Sequence, residues 1–86
     1  MDETNTVSLS PEIREKLLTY QESEITEHLI YKKLAQAVDS PDDRHILEEI
    51  AEDELRHYHD WRRYTQQDVE PDRWRIWKYY LISRVL

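Results

Sequence analysis

Apolar residues recur at alternating steps of three and four along most of the chain, in two long segments and one short one. This spacing is typical of amphipathic α-helices. Ser10-Pro11 and Ser40-Pro41 each combine an N-cap serine with a proline at the first helical position, and acidic residues follow. Pro71-Asp72 opens the third segment. The predicted helices cover about 11–39, 41–67 and 71–86.

The connections between these helices predict the topology. The link between the first two helices is so short that they should form an antiparallel hairpin. Residues 66–70 form a linker to the short third helix, and residues 1–9 are polar enough to predict a disordered tail. The expected fold is all-α: an antiparallel helical hairpin plus a short third helix, in one domain over residues 10–86.

Composition and net charge limit which partners and which cellular location are expected for the chain. The chain has 86 residues and neither glycine nor cysteine, which excludes disulfides, zinc knuckles and thiol chemistry. A net charge of −7 disfavours nucleic acid and anionic membranes as partners. No signal peptide is apparent, so a cytoplasmic location is expected. A core this thin predicts help from a metal or a partner chain. The aromatic third helix, with Trp74 and Trp77, is expected to pack on another subunit.

The second helix carries ionisable residues where a core should be apolar. Burying such groups is costly unless they are paired or bind metal. Glu54 and His57 form a Glu-x-x-His pair, which is the half-motif of di-iron sites when it lies on an inward helix face. The predicted core seam of this helix is Leu47, Ile50, Glu54, His57, Trp61 and Tyr64.

Glu24 is predicted to lie beside this pair. At 1.5 Å per residue it lies roughly 22 Å from the hairpin end of the first helix. Glu54 and His57 lie roughly 20 and 24 Å from the start of the second helix, so all three reach one layer of the hairpin. The predicted seam of the first helix is Leu17, Tyr20, Glu24, either Glu27 or His28, Tyr31, Leu34 and Val38. A solvated position is expected for Glu27 and His28.

Two carboxylates and one imidazole favour iron or manganese over zinc, although manganese or zinc could substitute for iron. Glu27 is a candidate fourth ligand, and Tyr31 is expected to hydrogen-bond a ligating carboxylate or to take part in redox chemistry. Trp61 is expected to stack next to His57. Sites of this class take one Glu from each of two helices and a Glu-x-x-His from each of two others. This chain supplies one of each, which predicts a homodimer with a four-helix bundle and two metal ions at its interface.

These residues resemble a known family. Glu-Ile-Thr-Glu-His-Leu-Ile-Tyr-Lys-Lys-Leu-Ala (24–35) and Ile-Ala-Glu-Asp-Glu-Leu-Arg-His-Tyr (50–58) resemble the rubrerythrin branch of the ferritin-like superfamily. The resemblance is closest to the ferritin-like domain ahead of vacuolar-iron-transporter-like membrane domains, and the spacing is similar to that of encapsulated ferritins. The chain ends before a second helix pair and lacks the cysteines of a rubredoxin module.

The resemblance implies a ferroxidase-type oxidoreductase that binds two irons and oxidises ferrous iron with dioxygen or peroxide. It implies that Glu24 and Glu54 are the bridging or terminal carboxylates, that His57 is the terminal imidazole, and that Tyr31 is the tyrosine behind the ligands. The activity would serve iron storage, detoxification or delivery to a fused or partner iron-transport membrane domain. The chain would form a homodimer or higher oligomer, at the cytosolic face of a membrane or inside a protein nanocompartment if not free in the cytoplasm.

Two alternatives follow from the same residues. One is a di-iron peroxidase of the rubrerythrin type, which would reduce peroxide at the same centre. The other is a non-enzymatic module in which the polar layer, with or without metal, controls oligomerisation or acts as a sensor.

Overall fold

The fold is a helical hairpin with a short third helix laid against it. The structure, a computed structural model, describes residues 8–85, and within that range it contains three helices and no strand. The helices are α1 (Pro11–Ala37), α2 (Pro41–Thr65) and α3 (Arg73–Val85). The all-α prediction is confirmed. Except for residues 8 and 9, the predicted disordered tail lies outside the described residues, as does Leu86.

Helices α1 and α2 begin where the sequence predicts. The hydroxyl of Ser10 accepts a hydrogen bond from the Ile13 amide at 3.2 Å, and the hydroxyl of Ser40 accepts one from the Asp43 amide at 3.2 Å. Each serine thereby satisfies an amide that has no partner within the first turn. Asp72 accepts from the amide of Arg75 at 3.1 Å, so α3 begins two residues later than predicted.

Helices α1 and α2 each end two residues before the predicted position. Val38 is extended, with φ −97° and ψ 147°, because the chain must reach the cap at Ser40. Gln66 adopts the left-handed conformation, with φ 55°, and its amide donates to the carbonyl of Arg62 at 2.8 Å. Glycine usually takes this position, so a chain without glycine gives no local signal for the end of α2.

The buried positions of α2 repeat every seven residues, at Ala51, Tyr58 and Thr65. Gln21 and Ala35 are buried on α1, and Gln21 contacts Thr65 across the hairpin. Ala51 and Gln21 are each 0% exposed. Small or hydrogen-bonded side chains at these positions allow the two helices to approach closely. Helix α3 packs against α1, and within the described range it does not contact α2.

The predicted core seam is only partly buried within the single chain, because most of its residues are half-buried and three are exposed. Tyr20 is 47% exposed, Tyr64 is 37% exposed, and the side chain of His57 is 53% exposed. The seam therefore lies beside the buried row and forms a surface that we call the open face. Its exposed apolar members are Tyr20 and Tyr64. We also include the exposed residues Ile13, which lies seven residues before Tyr20, and Ile46, which lines a surface pocket with Ile50.

Most of the large apolar side chains of α3 are also exposed. Ile76 is buried against α1 and Tyr80 is half-buried, whereas Trp74 and Trp77 are 67% and 50% exposed. Within residues 8–85, no helix combines the length and apolar character needed to cross a membrane.

Hydrogen bonds from α1 fasten the connection between α2 and α3. Gln21 accepts from the Thr65 hydroxyl and donates to the carbonyl of Gln67 at 2.7 Å. Arg14 donates to the carbonyl of Thr65 at 2.9 Å. Because Gln21 and Thr65 are almost wholly buried, these bonds offset the cost of removing their polar groups from water.

The far end of this connection is fastened in the same way. The buried hydroxyl of Thr26 accepts a hydrogen bond from the Asp72 amide at 2.8 Å. The hydroxyl of Tyr58 accepts from the amide of Val69 at 3.0 Å. The connection is thus tied to both helices of the hairpin, and this holds α3 in place along α1.

Candidate metal centre

Three side chains from α1 and α2 converge on the open face. His57 Nδ1 lies 2.9 Å from Glu24 Oε2 and 3.2 Å from Glu54 Oε1. One potential ligand atom from each of the three residues lies within 4.8 Å of the others. The antiparallel hairpin thus brings Glu24 level with the Glu-x-x-His pair, as the equal helix heights predict. We call Glu24, Glu54 and His57 the cluster.

The cluster lies at the edge of the hairpin interface and not inside an apolar sandwich. The side chains of Glu54 and Glu24 are 16% and 21% exposed, whereas that of His57 is 53% exposed. The expectation of a core site therefore fails within one chain, because the buried row of α2 is centred on Ala51 and Tyr58. Both carboxylates are partly removed from water, while the imidazole borders solvent.

The donor chemistry and spacing of the cluster fit a divalent cation. Two donors that each lie about 2.1 Å from one ion are about 3.0–3.4 Å apart at coordination angles of about 90–110°. The separations of 2.9 and 3.2 Å from His57 Nδ1 to the two carboxylates come close to this range. Oxygen and imidazole donors without thiolate suit iron or manganese. A cation would take the place of the proton that His57 shares with its carboxylates.

The carboxylates change the protonation of His57. Its hydrogen bond with Glu24, then that with Glu54, raises the pKa of His57 above its ordinary value, although partial burial opposes this. Without metal, the stabilisation from this pairing is present below the unfolded pKa of about 6.5 and is lost as pH rises through the higher folded pKa. A cation needs the deprotonated imidazole, so its binding should strengthen over the interval in which the pairing is lost.

We therefore expect the affinity for Mn²⁺ to rise as the pH increases from below about 6.5 through the raised pKa of His57, with up to one proton released from His57 per cation bound. Isothermal titration at several pH values in buffers of different ionisation enthalpy measures both quantities. His57→Gln should remove most of the increase in Mn²⁺ affinity with pH. His45→Gln is the matched control, because His45 lies on the same helix with its side chain 72% exposed. An equal increase in Mn²⁺ affinity with pH in both variants would contradict the assignment of His57 as a ligand.

Glu27 lies next to the cluster but outside the set of three. It is half-buried, and its Oε2 accepts from Ser23 Oγ at 3.0 Å and lies 3.5 Å from an Arg75 nitrogen. Burial, followed by a hydrogen bond with Glu54, raises the pKa of the Glu27 carboxyl group. The prediction of a solvated Glu27 is wrong, and its role as a ligand stays a prediction.

His28 is likewise not solvated. Its Nδ1–H donates to the carbonyl of Ala51 at 2.7 Å, which ties α1 to α2 through the buried row. His28 is therefore a structural residue in the hairpin, and it does not belong to the cluster.

The two aromatic residues expected near the cluster have defined neighbours. Tyr31 is half-buried and lines a small cavity between α1 and α3, together with Glu27 and Tyr79. Its proposed contact with a ligating carboxylate stays a prediction. Trp61 packs against Tyr20, with ring centroids 5.8 Å apart and planes at 47°, and this contact joins the two helices across the open face.

Sequence reasoning missed two residues that contact Glu27. Ser23 lies one helical turn before Glu27, and an i, i+4 hydrogen bond of this kind could have been found from spacing. Arg75 lies 48 residues away on another helix, and no local pattern gives that contact.

No protein-family model matches the chain, and comparisons with curated proteins and with solved structures find no match either. The resemblance to ferritin-like proteins thus stays a prediction from the motif residues.

Proposed function

We propose that the chain is a homodimeric di-iron carboxylate protein of the ferritin-like, rubrerythrin-branch type, which oxidises ferrous iron for storage, detoxification or delivery. The observation that carries this proposal is the convergence of Glu24, Glu54 and His57 within 4.8 Å on an exposed, partly apolar face. An isolated ion pair would not need two carboxylates for one imidazole.

The cluster is half of the required ligand set. Three donors from one chain are too few for two irons, whereas a two-fold pair of chains supplies four carboxylates and two imidazoles. The open face suits such pairing because Ile13, Tyr20, Ile46 and Tyr64 are 37–52% exposed there and would leave water on association. Pairing α1 and α2 of two chains in this way would form a four-helix bundle.

Each residue of the cluster has a distinct part in the proposed reaction. Glu24 and Glu54 would bind and bridge the ferrous substrate, and their charge would compensate the positive charge gained on oxidation. His57 would release its shared proton and bind through Nδ1. Two ferrous ions held next to each other can together transfer two electrons to dioxygen or peroxide. Trp61 and Tyr20, packed together, would cover the hairpin side of the centre and exclude water.

Anaerobic titration with ferrous iron, followed by sedimentation velocity, tests the assembly. We expect about two ions per dimer and a shift from monomer towards dimer as iron is added. Zn²⁺ is the matched redox-inert control, and it should promote pairing without electron transfer. Iron binding without any change in mass would contradict the shared site.

Mixing the ferrous dimer with dioxygen or with peroxide then tests the chemistry. Ferric absorbance should develop faster than in protein-free buffer, and the faster of the two oxidants identifies the preferred one. A dimer that binds ferrous iron but oxidises it no faster than buffer would support the sensor or oligomerisation module instead.

A further inference from the structure

The side chain of Arg75 on α3 contacts Glu27, which lies next to the cluster. An Arg75 guanidinium nitrogen lies 3.5 Å from Glu27 Oε2, and the two side chains are 35% and 30% exposed. Ser23 donates to the same carboxylate oxygen at 3.0 Å. Two donors, one from α3 and one from the preceding turn of α1, therefore hold Glu27.

Glu27 also lies next to the cluster. It follows Glu24 by one helical turn on α1, and its own burial together with the nearby Glu54 carboxyl group raises the pKa of Glu27. Glu54 in turn lies 3.2 Å from His57 Nδ1. Two neighbouring acids repel each other unless a proton or a cation lies nearby, and the Arg75 guanidinium supplies a positive charge 3.5 Å from Glu27.

We propose that Arg75 is a positioning residue that holds the Glu27 carboxylate outside the cluster, so that α3 limits how many carboxylates a bound cation receives. This inference rests on the proposed cation site. A carboxylate one helical turn from Glu24 and near Glu54 is within reach of a cation bound to those two residues. The guanidinium competes with that cation for the same oxygen, because both form strong charge-assisted contacts with carboxylates.

The surroundings of Glu27 leave room for this competition. A cavity of about 180 Å³ lies between α1 and α3, lined by Glu27, Ile30, Tyr31, Leu34, Arg75 and Tyr79. In a packed interior a charged side chain could not change partners without moving its neighbours. Here the carboxylate of Glu27 and the guanidinium of Arg75 both border open space.

The competing explanation is an ordinary ion pair that only fastens α3 to α1. The two explanations predict different changes in cation affinity when Arg75 is lost. If Arg75 only fastens α3, its loss lowers stability and leaves cation affinity unchanged or weaker. If Arg75 restrains Glu27, its loss adds one negative charge and one oxygen ligand at the centre, and cation affinity rises.

The test is isothermal titration of the full chain with Mn²⁺, using the parent protein, Arg75→Gln, Arg75→Lys and the double variant Arg75→Gln/Glu27→Gln. Arg75→Gln should bind roughly fivefold more tightly or better, because a unit charge next to a cation changes affinity by about this factor even in water. Arg75→Lys should stay close to the parent because it keeps the charge. The double variant should return towards the parent affinity.

Two further measurements separate positioning from a general effect of charge or folding. Lys78→Gln removes the same charge from an exposed position of α3 and should leave the affinity unchanged. The visible spectrum of bound Co²⁺ should change in Arg75→Gln and return to the parent form in the double variant, because it reports the ligand set. Circular dichroism checks that α3 remains helical.

The proposal is overturned if Arg75→Gln binds Mn²⁺ no more tightly than the parent, or if the double variant stays as tight as Arg75→Gln. Failure of the proposed function looks different. In that case the parent itself would bind no cation at the cluster, and the inference about Arg75 would fail with it.

Discussion

Replacing Glu54 with glutamine is expected to abolish ferrous binding by the cluster and the metal-dependent pairing of chains. Glu54 is the least exposed member of the cluster, at 16%, and it contacts His57 at 3.2 Å. Changing even an outer partner of a metal ligand costs about 10–100-fold in affinity, so loss of a shared carboxylate should cost roughly 100-fold or more. Anaerobic ferrous titration and sedimentation velocity measure the two effects.

Glutamine keeps the shape of Glu54 and removes only its charge, so the fold should survive. Glu52→Gln is the matched control, because Glu52 lies on the exposed side of the same helix. Circular dichroism in EDTA should give similar helix content for both variants and the parent. If Glu54→Gln binds ferrous iron with the affinity of the parent, the cluster is not the iron site.

Replacing Ala51 with leucine is expected to cause the largest loss of stability. Ala51 is 0% exposed, and its carbonyl accepts the His28 hydrogen bond at 2.7 Å. A larger side chain there must push α1 and α2 apart and stretch that bond. Overpacking of this kind typically costs about 1–3 kcal/mol. For a chain of this size, that lowers the thermal midpoint by roughly 5–20 °C.

Thermal denaturation in EDTA, followed by circular dichroism, isolates the hairpin from any contribution of metal or pairing. Ala37→Leu is the matched control, because Ala37 is exposed at the end of α1. It should melt close to the parent protein. If Ala51→Leu also melts within a few degrees of the parent, α1 and α2 are not closely packed at this position.

Local signals predicted the helices well where capping chemistry decides the boundary. Ser10 and Ser40 begin their helices as expected, because an N-cap serine followed by proline is a signal contained in adjacent residues. The end of α2 carries no such signal. It depends on Arg14 and Gln21, which bond to the connection from α1, 46 to 53 residues away in sequence.

The sequence also predicted which three side chains converge, but not how deeply they lie. The positions of Glu24, Glu54 and His57 along the hairpin axis follow from the helix rise per residue and the antiparallel turn, so residue counting predicts them. Depth depends on which helix face forms the interface. The large apolar residues suggested one stripe, whereas the helices meet along the next one, where Ala51 and Gln21 permit close contact.

Buried polar residues explain why that interface was not recognised. Gln21 and Thr65 are almost fully buried, yet their polarity is typical of surface positions. They are tolerated because each satisfies the other and the backbone beside it. Arg75 was missed for a related reason, since its contact with Glu27 exists only once α3 has packed on α1.

The fastened connection between α2 and α3 has a consequence for how two chains can combine. Small helical proteins often dimerise by exchanging a terminal helix, which requires a connecting segment that can open. Here Gln21 and Thr26 of α1 bond to the two ends of that segment, and Tyr58 of α2 bonds to its middle. Exchange of α3 would break all of these bonds. A dimer of the proposed kind would therefore form by docking of two complete three-helix units, and not by exchange of α3 between them.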